Sequence, residues 1–265
     1  RLVETLGKVF GLDDRRVQFT PDLMPADILG SEVLEESEKG RRSFRFIKGP
    51  VFCQLLLADE INRASPRTQS ALLQAMQEHR VSVAGHYHDL PDPFHVLATQ
   101  NPLELEGTYP LPEAQLDRFM FNVVLDYPTF KEEIQIVKQT TSDYSASLNK
   151  VMDAEDIVFH QNILRKIPVS DNVIEYAVGL AAKTRPETDL ASEKVQQYIS
   201  WGAGPRASQF MILGAKCYAA IRGKYSPDIE DIKAVAKPIL RHRIIRNYKA
   251  EAEGISVDDI IDSIL

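Results

Sequence analysis

Residues 55–83, LLLADEINRASPRTQSALLQAMQEHRVSV, carry an apolar run straight into two adjacent carboxylates, Asp59 and Glu60. A buried strand seldom ends on two like charges without a reason. The run LLLA is nearly continuous, as expected when helices cover both faces of a parallel sheet. A helix follows. Ser65 can cap it, Pro66 suits its first turn, and Leu72, Leu73, Ala75 and Met76 make an apolar stripe at helical spacing. The runs RRVQFT (15–20), QLLLAD (54–59), FHVLAT (94–99) and FMFNVVL (119–125) read as further strands. Strands alternating with helices predict an α/β fold.

Ligands of open parallel sheets bind outside the carboxyl ends of the strands. Asp59 and Glu60 fall at such an end. One use of the pair is nucleotide hydrolysis: the first carboxylate holds Mg²⁺, usually through water, and the second polarises the attacking water. The other reading is a solvated strand end. The next strand finishes in Gln100-Asn101, and an amide there can orient a water against a γ-phosphate. Asn101 before Pro102 is equally an ordinary turn. Arg118, in EAQLDRFMF, has the planar fork that suits a phosphate across a subunit boundary. Its alternative is an ion pair with Glu113 or Asp117. Arg206, beside Pro205 in WGAGPRAS, stands at a helix start and can touch a phosphate or lie along the surface.

From about Lys131 the pattern is helical almost throughout. Ile157, Gln161 and Leu164 fall at helical spacing. So do Val173, Ile174, Ala177, Val178 and Ala181 after a capping Ser170, and Phe210, Leu213, Cys217 and Ala220. Pro128 breaks the chain, which places the boundary between an α/β core, residues 1–129, and an all-α domain, residues 130–265. Two hairpin-like attachments stand out. GRRSFRFIKGP (40–50) alternates basic and aromatic residues. RVSVAGHYHDLPDPF (80–94) has Gly85 at its turn.

The chain of 265 residues has room for one large domain or two modest ones, and its 44% apolar and 26% charged residues are those of a globular protein. No apolar stretch approaches the ~18 residues of a membrane span, and no secretory signal is visible in these residues. Cys53 and Cys217 are far apart, with no disulfide or metal-ligand spacing, so a reducing cytoplasm is expected. His86 and His88 share a strand face; a solvated hairpin accounts for them better than a metal pair. The net charge of −7 argues against a protein that coats nucleic acid.

Taken together, in this order, the motifs resemble an AAA+ ATPase of the MoxR family, in the branch with an insert in helix 2. LLLADEINRASPRTQSALLQAMQEHRVSV looks like its Walker B strand and following helix. VLATQNPLELEGTYPLPEAQLDRFMF looks like its sensor 1 and arginine-finger region, and WGAGPRASQFMILGAK like its sensor 2 helix. The resemblance spans essentially the whole chain. It implies a parallel-sheet core followed by a helical lid. It implies ATP and Mg²⁺ as cofactors, with Asp59 on the metal, Glu60 as catalytic base, Asn101 as sensor 1, Arg118 as the finger in a neighbour's site and Arg206 as sensor 2. The 40–50 segment would belong to the helix-2 insert, and the 80–90 segment would be the hairpin before sensor 1. The family is expected to form hexameric rings. The resemblance further implies a chaperone-like remodeller of protein clients, often beside von Willebrand factor A domain partners.

One departure stands out: no G-x-x-x-x-G-K-[ST] occurs in these residues. That loop cradles phosphates with backbone N–H groups and a lysine. In the family it sits just before a helix like RLVETLGKVFGL, whose buried face here would be Leu2, Leu6, Val9 and Phe10. The expectation is that the natural protein carries this loop and the first strand upstream of Arg1, and that the 265 residues alone bind nucleotide weakly or not at all. Three other functions stay open. A nucleic-acid-translocating ring draws on Arg41, Arg42, Arg45 and Lys48 interleaved with Phe44 and Phe46. A non-catalytic scaffold subunit draws on the missing loop. A metal-chelatase motor differs only in substrate.

Overall fold

The computed structural model describes residues 2–36, 42–101, 107–142 and 147–265. In chain order the elements are α1 Leu2–Phe10, β1 Asp14–Gln18, α2 Pro25–Leu29, β2 Gly30–Glu36, β3 Arg42–Lys48, β4 Leu55–Asp59, a single 3₁₀ turn Ile61–Arg63, α3 Pro66–Glu78, β5 Arg80–Val83, β6 His86–Asp89 and β7 His95–Ala98. There follow α4 Glu113–Leu116, α5 Phe130–Thr140, α6 Ala154–Lys166, α7 Asp171–Lys183, α8 Glu193–Tyr198, β8 Ile199–Trp201, α9 Pro205–Ile221, α10 Ile229–Leu240, β9 Ile245–Arg246, α11 Tyr248–Ala252 and α12 Val257–Asp262. They form two compact units, one of residues 1–111 and 127–159, the other of residues 112–126 and 160–265. The segment 112–126, upstream of the Pro128 break, thus packs with the helical unit. Among the described residues no helix is long and apolar enough to cross a membrane.

The first unit is built on a parallel sheet of order β1-β4-β7. Leu55, Leu56 and Ala58 of the central strand are buried, which accounts for the unbroken apolar run. The register pairs Gln18 with Asp59 and Ala58 with Ala98, so the carboxyl ends of the three strands lie level. Ser65 caps α3 as expected, its hydroxyl accepting from the Thr68 N–H, and Leu72, Leu73 and Ala75 are buried. The face of α1 is turned from the one expected. Val3 and Gly7 are buried and Leu2 is exposed, because Gly7 lies flat against the Asp14 side chain, where a Cβ would come within 2.3 Å.

The two attachments are antiparallel hairpins. β2 pairs with β3 and β5 with β6. Ala84 and Gly85 turn the second hairpin with φ of 49° and 83°, both left-handed as a two-residue I′ turn demands. His88 stacks on Phe46 of the other hairpin, with centroids 3.9 Å apart, and Phe46 meets Phe52 edge-on. His88 is therefore an aromatic packing residue.

FMFNVVL is not a strand. A ladder needs a partner, and this segment finds its partners elsewhere: the Asn122 N–H donates to the Pro238 carbonyl of α10, and Arg241 donates to the Asn122 carbonyl. Apart from the short antiparallel pair β8–β9, which the all-α expectation missed, the second unit is helical. Its core joins Val173, Ala177 and Leu180 of α7, Met211 and Ala215 of α9, Ile232 and Ile239 of α10, and Ile260 and Ile261 of α12. In α9 the buried stripe is Ala207, Met211, Gly214, Ala215 and Ala219, one position from the stripe of larger residues that includes Phe210, Leu213 and Cys217. Small residues win that face because α10 lies close. A Cβ on Gly214 would sit 3.3 Å from Val235 and 3.4 Å from Ile239. On α7 Ile174 and Val178 are exposed while Leu180 is buried.

Candidate functional site

The strand ends of the first unit hold one connected polar cluster. Asp59 Oδ1 accepts a hydrogen bond from the Thr99 hydroxyl at 2.6 Å, and Oδ2 accepts from Nε and Nη2 of Arg16. The same Thr99 oxygen accepts from the Glu60 N–H at 2.8 Å. Glu60 Oε2 in turn accepts from Gln18 Nε2 at 2.7 Å and from Arg63 Nη1 at 3.1 Å. Backbone bonds close the turn: Ile61 N–H to the Thr99 carbonyl, Phe19 N–H to the Asp59 carbonyl. The parallel register produces this. It sets the tips of β1, β4 and β7 side by side, so that alternate residues of β1 and the residue after β7 face the carboxylates.

Glu60 has φ 55° and ψ 49°, the left-handed region. A non-glycine residue pays about 1–3 kcal/mol there, and such strain collects at functional sites. Here the turn is held by the Thr99 contacts, and it aims the second carboxylate away from the strand direction. The Thr99 hydrogen bond, then the Arg16 charge, hold the Asp59 carboxyl below its ordinary range. A carboxyl depressed in the folded state adds stability that is present above its unfolded value, about 3.9, and lost as pH falls through the folded value. Thr99→Val is therefore expected to destabilise the protein by about 1–2 kcal/mol near neutral pH, with the gap narrowing below about pH 4. Urea unfolding at the two pH values checks this; an equal cost at both would remove the Asp59 linkage.

Asn101 follows Thr99 by two residues at the same strand end and is half-buried. Residues 102–106 beyond it, part of the expected sensor and finger segment, lie outside the described residues, as do Arg1 and Arg41. The side-chain oxygen of Asn62 is buried without a hydrogen-bond partner among the described residues. No group of three or more His, Cys, Asp or Glu among the described residues is set to hold a metal. An ionised Asp59 with hydroxyl support still fits Mg²⁺, which takes one or two carboxylates and completes its shell with phosphates and water.

The arginines Arg118 and Arg206 belong to the second unit. Arg206 sits in the first turn of α9 behind Pro205, and its Nη1 donates to Asp117 Oδ2 at 2.9 Å. Asp117 Oδ1 accepts from Arg243 Nε at 2.8 Å. Asp117, one of the two alternative partners expected for Arg118, is thus already engaged by two other guanidinium groups. Arg118 itself is half-buried, in the turn that follows α4. A cavity of about 390 Å³, lined among others by Glu113, Asp117, Trp201, Gly202 and Arg243, adjoins this group. His242 Nε2 lies 3.0 Å from the Phe119 carbonyl, and burial followed by the Arg243 charge pushes its pKa down to about 4, so the imidazole is neutral.

Thr99, Arg16, Gln18 and Arg243 were not picked out from sequence. The two β1 residues had a legible signal: polar side chains spaced by two at the end of a strand beside DE. Thr99 and Arg243 had none.

Residues 1–121 match the family described as "ATPase family associated with various cellular activities (AAA)", and residues 191–264 match an AAA lid domain. The chain is 40% identical to Chaperone MoxR1 of Mycobacterium tuberculosis over 263 residues, covering 99% of this chain and 69% of that one. It is 40% identical over 265 residues to the uncharacterised YeaC of Bacillus subtilis, covering 100% and 79%. A crystal structure from Cytophaga hutchinsonii, described as a candidate ATPase, superimposes with a TM-score of 0.90 at 42% identity, over 99% of this chain and 79% of that one. A strand-end carboxylate pair, an α/β core and a helical lid matched over the full length at this identity admit one classification: the chain belongs to the MoxR family of AAA+ ATPases.

Proposed function

We propose that this AAA+ protein hydrolyses ATP with Mg²⁺ and uses the cycle to remodel partner proteins. The observation that carries the reading is the Asp59–Thr99–Glu60 cluster, in which one hydroxyl joins both carboxylate residues and a left-handed turn presents Glu60. Asp59 would hold Mg²⁺, which when bound neutralises charge on the phosphates. Glu60 takes the proton of the attacking water, and Asn101 orients that water. Arg206 contacts phosphate, and Arg118 completes the site of an adjacent subunit. The ring is taken to be a homohexamer in the cytoplasm, with the α/β core ending near residue 129. Its clients are proteins, with von Willebrand factor A domain proteins as candidate partners. The chaperone naming of the Mycobacterium relative supports protein clients in general.

The test is Asp59→Asn in the full-length protein. Hydrolysis should need at least about tenfold more Mg²⁺ for half-maximal rate, since the metal loses its one charged protein ligand. An unchanged Mg²⁺ dependence would remove Asp59 from the metal site.

The nucleic-acid reading is weakened by the hairpin that motivated it. Arg42 pairs with Glu36 and Arg45 with Glu35 across the strands, so their charges are matched. Lys48 lies over the Phe52 ring, and Phe46 is stacked against His88, leaving Phe44 as the exposed aromatic of β3.

A further inference from the structure

Arg243, in the turn after α10, belongs to none of the motifs above. Its side chain is 1% exposed. Besides the Asp117 carboxylate, its Nη2 donates to the backbone carbonyls of Asp117 at 2.8 Å and Phe119 at 2.6 Å. Nη1 donates to the carbonyls of Met120 and Ile239, and the guanidinium lies 5.1 Å from the Phe210 ring centroid. The carbonyls it grips at 117 and 119 are those on either side of Arg118.

As a device for stability alone this is a poor one. Burying an arginine against one carboxylate is costly, and an apolar side chain of similar volume serves as well or better. What a guanidinium adds is a rigid planar fork whose donors accept only one arrangement of acceptors. Here that arrangement is the carbonyls of residues 117, 119 and 120, together with the Asp117 carboxylate and the Ile239 carbonyl. The Asp117 carboxylate is divided between Arg243 and Arg206, one oxygen each. Arg118 forms no ion pair with a described residue.

We infer that Arg243 is a positioning residue for Arg118: it fixes the backbone on both sides of that arginine and, together with Arg206, keeps Asp117 from capturing it. The inference rests on the reading of Arg118 as a group that acts in a neighbour's site. A defect in Arg243 should therefore behave as a defect in donating Arg118, not as a defect in the subunit's own nucleotide site.

The experiment uses the full-length protein. Arg243→Lys keeps the charge and removes the fork. It should lower kcat by about 10²-fold, the usual cost of misplacing a catalytic group by an ångström, while KM for ATP stays within about twofold. Mixing it with Glu60→Gln subunits should restore turnover, because those subunits have no base but a well-placed Arg118. Asp117→Asn, which keeps the shape and drops the charge, is carried through the same two measurements and decides the matter if Arg243→Lys does not fold. Arg118→Ala is the reference. If mixing rescues Arg118→Ala but the two positioning variants keep full turnover, or lose it without rescue, the positioning role is wrong and the finger stands. If Arg118→Ala itself turns over normally, the finger reading falls and this inference falls with it.

Discussion

Glu60→Gln should bind ATP and hold it, with hydrolysis slowed by about 10²–10⁴-fold, the range that general-base catalysis supplies. The substitution is chosen because it changes little else. A glutamine keeps the oxygen that accepts from Gln18 and Arg63, and it keeps the backbone N–H that donates to Thr99. The left-handed turn at 60 is as accessible to glutamine as to glutamate. The amide lacks only the basic lone pair that takes a proton from water. Phosphate release and retention of labelled nucleotide, measured on the same preparation, separate the two effects. Normal turnover would reject Glu60 as base, and loss of binding together with turnover would place it in the binding apparatus.

Arg118→Ala should cost about 10³–10⁵-fold in turnover, as removal of an arginine finger does elsewhere, with nucleotide binding retained. The mixing experiment gives this prediction its force. An Arg118→Ala subunit keeps its own Asp59 and Glu60, and a Glu60→Gln subunit keeps its own Arg118. If the arginine acts across a subunit boundary, mixed rings contain interfaces with a sound base on one side and a sound arginine on the other. Activity then returns in a mixture of two inactive proteins. No recovery at any mixing ratio would place Arg118 outside a neighbour's site.

The core sheet was legible because the central strand leaves a plain mark: β4 falls on the apolar run at 54–59, and β1 and β7 fall on the flanking runs at 15–20 and 94–99 although β1 buries only Val17. The carboxylate pair was legible for the converse reason, as charge where apolar residues should continue. What joins the pair was not. A threonine at the end of an apolar strand is ordinary, so Thr99 gave no warning that its hydroxyl would bridge Asp59 and Glu60. β2 escaped notice because Gly30–Glu36 is exposed along most of its length and its acids are there to face the arginines of β3. FMFNVVL misled because β-branched and aromatic residues measure fitness for a pleated surface, not the presence of a partner strand. On α1 and α9 the larger apolar residues marked the wrong face. There, Met211 apart, the buried positions are glycine, alanine and other compact residues that let a neighbouring element come close, and size-weighted patterns overlook them.

The most direct measurement is a structure of the full-length protein with Mg²⁺ and a non-hydrolysable ATP analogue. The account predicts that Asp59 has turned from Arg16 toward the metal, directly or through water, and that Glu60 and Asn101 face a water beside the terminal phosphate. A bound nucleotide whose metal lies elsewhere, with Asp59 still paired to Arg16 and Glu60 still held by Gln18 and Arg63, would contradict it.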